Sequence, residues 1–435
     1  MNKNISASTR KFYPLLFSKE ESSFIICINL TMLITYFILN VLSMRRYFVE
    51  ENVFILSLAI LKLILRIIIL SITVCKIIYY RKIDLKFSLI SATLLVFGIV
   101  YFLFKYNFVY IEFITNWPDL LSLVFLIIAS YGISLDAICI VHLLSIGISF
   151  ILRVVLAISG IMPGVIITTD YGEKSTDLGF GNHNAGMIMF LFIVFSFAYL
   201  LRSISKKYIF SLIILFLTYF LYSYTHSKTS TIVLILFCIM YTCTSLGNYN
   251  FKLNQNRKIR NLKKIAIYIM TISPILSLVM TIVCTLIYNI VRTICPSGIA
   301  YDFITQNTLL SRFNCISQDF ALNNIPLPFN YTILDPSNQE SFNFLLGSYS
   351  KSYYNDNLYH RLFINYGIII LLIFILVAQI ISIYANKKNY KVLLVILSMI
   401  SLFNIMESHG MIYSFNPFVL IPFSIITLTL QPPIK

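Results

Sequence analysis

An acid, an imidazole and a guanidinium stand together in the stretch "SKSYYNDNLYHRLFINYGIIILLIFILV", where Asp356, His360 and Arg361 precede a long apolar run. A carboxylate or an imidazole can accept a proton from an attacking hydroxyl, and a guanidinium can stabilise a developing anion. His360 and Arg361 follow Asp356 by about one helical turn. A simpler interpretation is that Asp356 caps the helix while the two basic side chains extend towards water.

Four further segments carry polar side chains together with a basic or an imidazole side chain. They are "STDLGFGNHNAGMIMF" with Asn182, His183 and Asn184, "YTHSKTSTIVLIL" with His226 and Lys228, "NTLLSRFNCISQDF" with Arg312 in the large loop, and "IMESHGMIYSFNPFVL" with Glu407, His409 and Asn416. Together with His360, these segments hold four of the five histidines of the chain. Each segment also has a structural interpretation as a helix cap, an interfacial anchor or a solvated loop charge. Their shared composition favours a common site.

The composition indicates which elements must position these residues. The chain has 435 residues, of which 58% are hydrophobic and only 11% are charged. Apolar runs of about 20 residues recur along it, each long enough to cross a bilayer as a helix. The excess of 33 Lys and Arg over 17 Asp and Glu suits cytoplasmic loops of a membrane protein better than nucleic-acid binding. The sequence therefore predicts an all-α, polytopic membrane helical bundle with no nucleic-acid partner.

Twelve transmembrane helices are predicted, forming a single integral membrane domain over residues 1–435. The predicted spans are Phe24–Ser43, Val53–Tyr79, Phe87–Phe104, Ile114–Ser134, Ala137–Ser159, Ala185–Leu201, Ile209–Tyr224, Thr229–Leu246, Ile265–Ile290, Leu358–Tyr384, Val392–Met406 and Pro417–Leu430. The basic loop Lys252–Lys264 lies inside by the positive-inside rule. The large loop 291–357 then lies outside, and all five polar segments reach that same outer face.

Basic residues inside predicted spans form a second feature. Lys62 and Arg66 lie four residues apart on one helical face, and Arg153 lies in another span. Ionisable groups at such positions face protein or a wet cavity, so these residues either line a path for a pyrophosphate or lipid or form structural pairs. Cys295 and Cys315 are placed where a disulfide is permitted. No CxxC or HExxH spacing occurs, so neither a metal site nor a cofactor is predicted.

The polar segments, taken in order, resemble the Wzy-like oligosaccharide repeat-unit polymerases of the O-antigen polymerase and ligase superfamily. "LGFGNHN" is similar to the family's "GFGHPN", "HSKTSTIVLIL" to "SRTG", and "LLSRF" to its outer-loop arginine. "FNFLLGSYS" is similar to "LFG", "DNLYHRLFINYGIIILL" to "DNSYLRLLLNYGIIG", and "NPFVL" to the terminal "NPF". The similarity covers roughly Ser175 to the C-terminus, and the preceding half matches only in hydropathy.

This resemblance implies a glycosyltransferase at the outer face of the bacterial cytoplasmic membrane. A growing glycan on undecaprenyl pyrophosphate would be transferred to a hydroxyl of the next lipid-linked repeat unit, without a metal. A chain-length regulator is a candidate further partner, besides membrane lipid. Arg312 and Lys228 are predicted to stabilise the pyrophosphate, with Arg361 as a third cation and with Asp356, or else His409, as the base. The predicted substrate-binding residues are His183, Asn184, Asn357, His360, Arg361, Lys62 and Arg66.

Two departures from the family pattern leave other functions open. Lys228 replaces an arginine, which keeps the charge but loses the bidentate geometry. Asp356 stands ten residues before Gly367, where the ligase branch carries a catalytic histidine. That favours a polymerase over a ligase, although His360 lies close to the same place. A flippase for the same lipid-linked sugar is the alternative from another class, and it would require charges lining the middle of many spans.

Overall fold

A computed structural model describes residues 23–44, 52–105, 119–161, 166–168, 174–180, 182–249, 257–294, 342–343, 345, 347–348, 357–412 and 414–428. Most of these residues lie in α-helices. The helices are α1 Ser23–Met44, α2 Asn52–Tyr80, α3 Leu85–Lys105, α4 Asp119–Ala129, α5 Leu135–His142, α6 Ile148–Ile158, α7 His183–Leu200, α8 Lys207–Thr225, α9 Lys228–Tyr249, α10 Arg257–Ile294, α11 Leu358–Lys387, α12 Lys391–Met406 and α13 Ile421–Leu428.

Short elements interrupt the helices. A π-helical turn, Leu143–Gly147, joins α5 to α6, and two 3₁₀ turns, Ser408–Met411 and Pro417–Leu420, lie between α12 and α13. Strand β1, Ile166–Thr168, pairs antiparallel with β2, Lys174–Thr176, and β3, Phe342–Asn343, pairs antiparallel with β4, Gly347–Ser348. These two hairpins are absent from the all-α prediction.

Six stretches of helix among the described residues are long and apolar enough to cross a membrane. They are Ser23–Leu42, Leu135–Ile158, Lys207–Thr225, Lys228–Ser245, Asn261–Tyr288 and Leu358–Lys387, and three shorter apolar helices accompany them. This fits the predicted all-α membrane protein but not its twelve spans. Among the described residues, three predicted spans correspond to the shorter apolar helices Leu85–Tyr101, Asn184–Leu200 and Lys391–Met406, and the helix described within Ile114–Ser134 is Asp119–Ala129.

Helix α7 forms the centre of the bundle because it is apolar on every side. Its residues 185–195 are all buried, with Phe192 packed against Phe403 of α12 and Phe195 against Phe237 of α9. By contrast, α8 leaves large apolar side chains exposed, including Leu212, Phe216 and Tyr219. An exposed apolar face of this size suits contact with lipid.

Buried polar residues attach the π-helical turn to its neighbours. His142 Nε2 donates to the Phe415 carbonyl at 2.9 Å, and His142 Nδ1 lies 3.1 Å from Ser196 Oγ on α7. Asn40 Nδ2 on α1 donates to Ser145 Oγ at 3.1 Å. Unpaired polar groups are costly in such surroundings, so these bonds fix the turn against α1, α7 and the segment after α12.

The segment 407–428 crosses the depth of the bundle without forming one continuous helix. It begins beside the end of α12, and Phe418 then packs on Tyr199 at the far end of α7 with ring centroids 6.2 Å apart. Ser130 Oγ donates to the Leu420 carbonyl at 3.1 Å. Broken backbone at this depth is tolerated where protein surrounds it. The predicted last span, Pro417–Leu430, is therefore a 3₁₀ turn followed by the short helix α13.

Helix α11 contains a break at Gly367, where φ is 72° and ψ is 179°. That backbone conformation is accessible to glycine and strained for other residues. The hydroxyl of Tyr101 on α3 donates to the carbonyl of Tyr366, the residue before the break. The Tyr366 carbonyl, next to the break, therefore accepts a hydrogen bond from another helix.

Asp84 fixes the turn between α2 and α3. Its Oδ1 accepts from the Phe87 amide at 3.0 Å and its Oδ2 accepts from the Tyr131 hydroxyl at 2.7 Å. These bonds, with the Phe87 amide contributing most, hold the pKa of Asp84 below its usual range. The charged carboxylate therefore acts as the cap of α3 and also attaches the turn before α5.

Candidate functional site

The start of α11 is fixed to the end of α12 by Asn357. Its Oδ1 accepts from the His360 amide at 2.9 Å, as an N-cap does, while its Nδ2 donates to the Ile405 carbonyl at 2.6 Å and to Thr281 Oγ1 at 3.1 Å. Asn357 is fully enclosed. Through these contacts Asn357 holds the ends of the two helices together. The region where α11 starts and α12 ends is called here the Glu407 end.

Arg361 connects α11 to the 3₁₀ turn that follows α12. Its Nη1 donates to Ser408 Oγ at 3.0 Å, and the side chain is only partly buried. His360, on the same turn of α11, is 4% exposed. The structure therefore brings Asn357, His360 and Arg361 to the Glu407 end, one turn into the helix.

Glu407 and His409 complete this cluster of charged and titratable residues. Glu407 Oε2 lies 3.6 Å from His409 Nδ1, and the side chains are 2% and 15% exposed, respectively. Glu407 belongs to one of the predicted polar segments, but the sequence analysis assigns it no catalytic or binding role. His409, predicted as the second-choice base, does lie beside Arg361's partner Ser408.

Two asparagines and a glycine lie next to the charged cluster. Asn416 Nδ2 donates to the Gly410 carbonyl at 2.6 Å and its Oδ1 accepts from the Phe418 amide at 3.0 Å. Asn404 is 3% exposed, and its Oδ1 accepts no hydrogen bond within the part of the chain that the structure describes. A buried amide oxygen of this kind retains capacity to accept a bond from a ligand.

A cavity of ≈ 200 Å³ begins at these polar residues and continues between the helices. Asn404, Gly410 and Asn416 line it where it meets the Glu407 end. The remaining lining is largely apolar and comes from α3, α4, α11, α12 and the segment 416–422; it includes Phe97, Leu123, Ile127, Phe374, Ile381 and Pro422. A long, apolar cavity with a small polar end suits a molecule with a hydrocarbon part and a polar head.

The Glu407 end is recessed relative to the neighbouring helix α7. Phe403 packs on Phe192, with ring centroids 5.7 Å apart, so these residues lie at a similar depth. From Phe403 the chain rises about 6 Å to Glu407, whereas from Phe192 it rises about 13 Å to His183 at the start of α7. Charged groups below the rim of a bundle are partly shielded from water, and this strengthens their interactions.

The other predicted residues do not join this cluster through any described contact. Asn184 lies in the first turn of α7, where its amide donates to Asn182 Oδ1 at 2.8 Å, and His183 begins the same helix. Lys228 begins α9 and is exposed. Arg312 and Asp356 lie outside the described residues.

The basic residues inside predicted spans lie apart from the Glu407 end. Lys62 and Arg66 are partly buried on α2, which packs chiefly on α1, α3 and α4. Arg153 Nη1 donates to the Gly179 carbonyl at 3.3 Å, with the guanidinium 5.3 Å from the Phe180 ring. Arg153 therefore braces the turn that leads into α7.

Comparison with family descriptions, with curated proteins and with solved structures finds no match to this chain.

Proposed function

We propose that this protein is a polysaccharide polymerase of the bacterial cytoplasmic membrane. It transfers a growing glycan from undecaprenyl pyrophosphate to the next lipid-linked repeat unit at the outer face of that membrane. The motifs from Ser175 to the C-terminus support this assignment, as does the placing of basic loops on the side opposite the Glu407 end. Membrane lipid and a chain-length regulator are its proposed partners.

One observation carries the proposal: the polar end of an apolar cavity, at Asn404, Gly410 and Asn416, adjoins the turn that carries Glu407 and His409. A polyisoprenoid chain requires the apolar cavity, and a pyrophosphate joined to a sugar requires the polar and charged region next to it. The mainly carbon lining of the cavity accommodates hydrocarbon at little cost, while Asn404 Oδ1 at its polar end can accept a bond from a sugar hydroxyl.

Arg361 is the described cation assigned to the leaving pyrophosphate. Its guanidinium donates to Ser408, two residues before Gly410 at the polar end of the cavity. Cleavage of the bond between sugar and phosphate leaves negative charge on the pyrophosphate, and a fixed cation stabilises that charge most when water is partly excluded. Arg312 and Lys228 are proposed to share this role.

Surface glycan length in a deletion strain of the natural host tests the proposal. The strain is complemented with wild type, Arg361→Ala, or Arg81→Ala as a matched control at the opposite end of the bundle. We expect long chains from wild type and Arg81→Ala, and single repeat units from Arg361→Ala at equal protein level.

Other results would contradict the proposal. Lipid-linked units retained inside the deletion strain would indicate a transporter, and full-length glycan that stays unattached would indicate a ligase. Long chains from Arg361→Ala would leave polymerisation intact but refute the role assigned to Arg361.

A further inference from the structure

Glu407 is an acid in an enclosed position that helix capping does not explain. It follows α12, and its own backbone is extended, with φ −143° and ψ 136°. Its side chain makes no capping bond to the 3₁₀ turn that it precedes. A buried carboxylate is costly without a charged or hydrogen-bonding neighbour, so the groups around it decide its role.

His409 is a described titratable neighbour of Glu407. Glu407 Oε2 and His409 Nδ1 lie 3.6 Å apart, and Nδ1 has no other hydrogen-bond partner among the described residues. Glu407 is the more enclosed of the two, and His409 has the more open side chain. The arrangement therefore places the acid behind the imidazole, and the imidazole towards the recess.

Charged and titratable residues of α11 also lie close to this pair. Arg361 of α11 bonds Ser408, the residue between Glu407 and His409, and His360 lies on the same turn of α11. Among the described residues of α10, Thr281 contributes a neutral hydroxyl to this end. The cluster thus combines one acid, two imidazoles and one guanidinium.

We infer that Glu407 and His409 form an acid–imidazole pair in which His409 accepts the proton of the attacking hydroxyl and Glu407 positions it. This inference rests on the proposed function. Glu407 holds Nδ1–H, which leaves the Nε2 lone pair directed to the acceptor hydroxyl, and its negative charge stabilises the imidazolium that forms. Asp356 then has a different role from the base.

The step balances without an oxidant or a metal. The hydroxyl O–H bond breaks and its proton moves to Nε2 of His409. A new bond forms between that oxygen and the anomeric carbon of the growing glycan. The bond from this carbon to the pyrophosphate oxygen breaks, and its electron pair leaves with the pyrophosphate, next to Arg361.

The test uses purified full-length protein in lipid nanodiscs, with lipid-linked repeat units extracted from the deletion strain as the probe. Polymer formation is followed from about pH 5 to pH 9 for wild type, Glu407→Gln, Glu407→Asp and His409→Gln. Asp136→Asn is the matched carboxylate control, because Asp136 pairs with Arg202 at the other end of the bundle. Thermal unfolding of each variant measures its stability separately.

We expect Glu407→Gln and His409→Gln each to lower the rate by about 100-fold, the lower part of the range for general base catalysis. Glu407→Gln should lower kcat and leave KM unchanged, because Glu407 acts on the base and not on substrate binding. The acid limb of the rate profile should disappear in His409→Gln, while Glu407→Asp recovers part of the rate.

A purely structural role for Glu407 predicts lower stability and no recovery of the rate in Glu407→Asp, and that result would overturn the inference. A wild-type rate retained by Glu407→Gln would do the same while leaving the proposed function intact. Wild-type protein that forms no polymer from these units would refute both proposals.

Discussion

Replacing Gly410 by alanine should deform the polar end of the cavity. A Cβ atom on Gly410 would lie 1.8 Å from Oδ1 and 2.9 Å from Cγ of Asn404. Non-bonded contacts normally require about 3.5 Å, so the Asn404 Oδ1 atom would have to move by about 1.7 Å from a buried position. Overpacking of this kind costs about 1–3 kcal/mol.

That cost can be converted into an expected change in melting temperature. The entropy of unfolding is about 2.1 cal/mol/K per residue, which gives roughly 0.9 kcal/mol/K for this chain. A loss of about 2 kcal/mol then lowers Tm by about 2 °C. The measurement is thermal unfolding of the detergent-solubilised protein, followed by intrinsic fluorescence.

Two further variants make the result specific. Gly147 has helical backbone, with φ −63°, and a Cβ atom added to it would meet no atom within 4 Å, so Gly147→Ala should not lower Tm. Asn404→Ala removes the three atoms nearest the new Cβ at position 410, and the double variant should be no less stable than Asn404→Ala alone. Additive losses in this cycle would refute the steric argument.

Three other substitutions test contacts elsewhere in the bundle by thermal unfolding. Tyr101→Phe should cost about 1–3 kcal/mol, because the Tyr366 carbonyl at the break in α11 loses its donor; an unchanged Tm would contradict this. Lys76→Met should also lower Tm, because the ammonium donates to the carbonyls of Ala129 and of residue 131 at the end of α4. Since the pKa of Asp84 is lowered on folding, its stabilising effect is present above its ordinary value of 3.8 and is lost as pH falls through the folded value. Asp84→Asn should therefore have a lower Tm than wild type at pH 7, and the difference between the two Tm values should become smaller at lower pH. A Tm difference that does not change with pH would disprove the stabilising role of the Asp84 carboxylate.

Helices with long apolar runs and clear ends were predictable from sequence. The spans predicted as Leu358–Tyr384 and Val392–Met406 correspond closely to α11 and α12. Asn357 marks one boundary because its side chain caps the helix. The length of an apolar run and the presence of a capping residue are local properties, so both can be recognised directly in the sequence.

Interruptions were not predictable because they depend on tertiary contacts. The break at Gly367 follows an ordinary "INYG" stretch, and the carbonyl before it depends on Tyr101, 265 residues earlier. The π-helical turn after His142 likewise depends on Ser196 and Phe415. Such partners, distant along the chain, leave no periodic signal in the local sequence.

The site was only partly predictable. Histidines and arginines beside apolar runs led to His360, Arg361 and His409, which the fold collects at one end of the bundle. Glu407 was placed in a polar segment but given no role, because a single acid at a span boundary is ordinary in sequence and its burial is a property of the folded chain. The contribution of Arg312 and Asp356 stays a prediction, since both lie outside the described residues.

The broken course of residues 407–428 has a consequence for how the protein is assembled. Short 3₁₀ turns and an eight-residue helix leave amides and carbonyls that lipid alone cannot satisfy. This segment therefore enters its place only after α4, α5 and α7 have formed the wall that receives it. The acid–imidazole pair is thus completed last during biogenesis, and shortened or stalled chains would be membrane-inserted yet inactive.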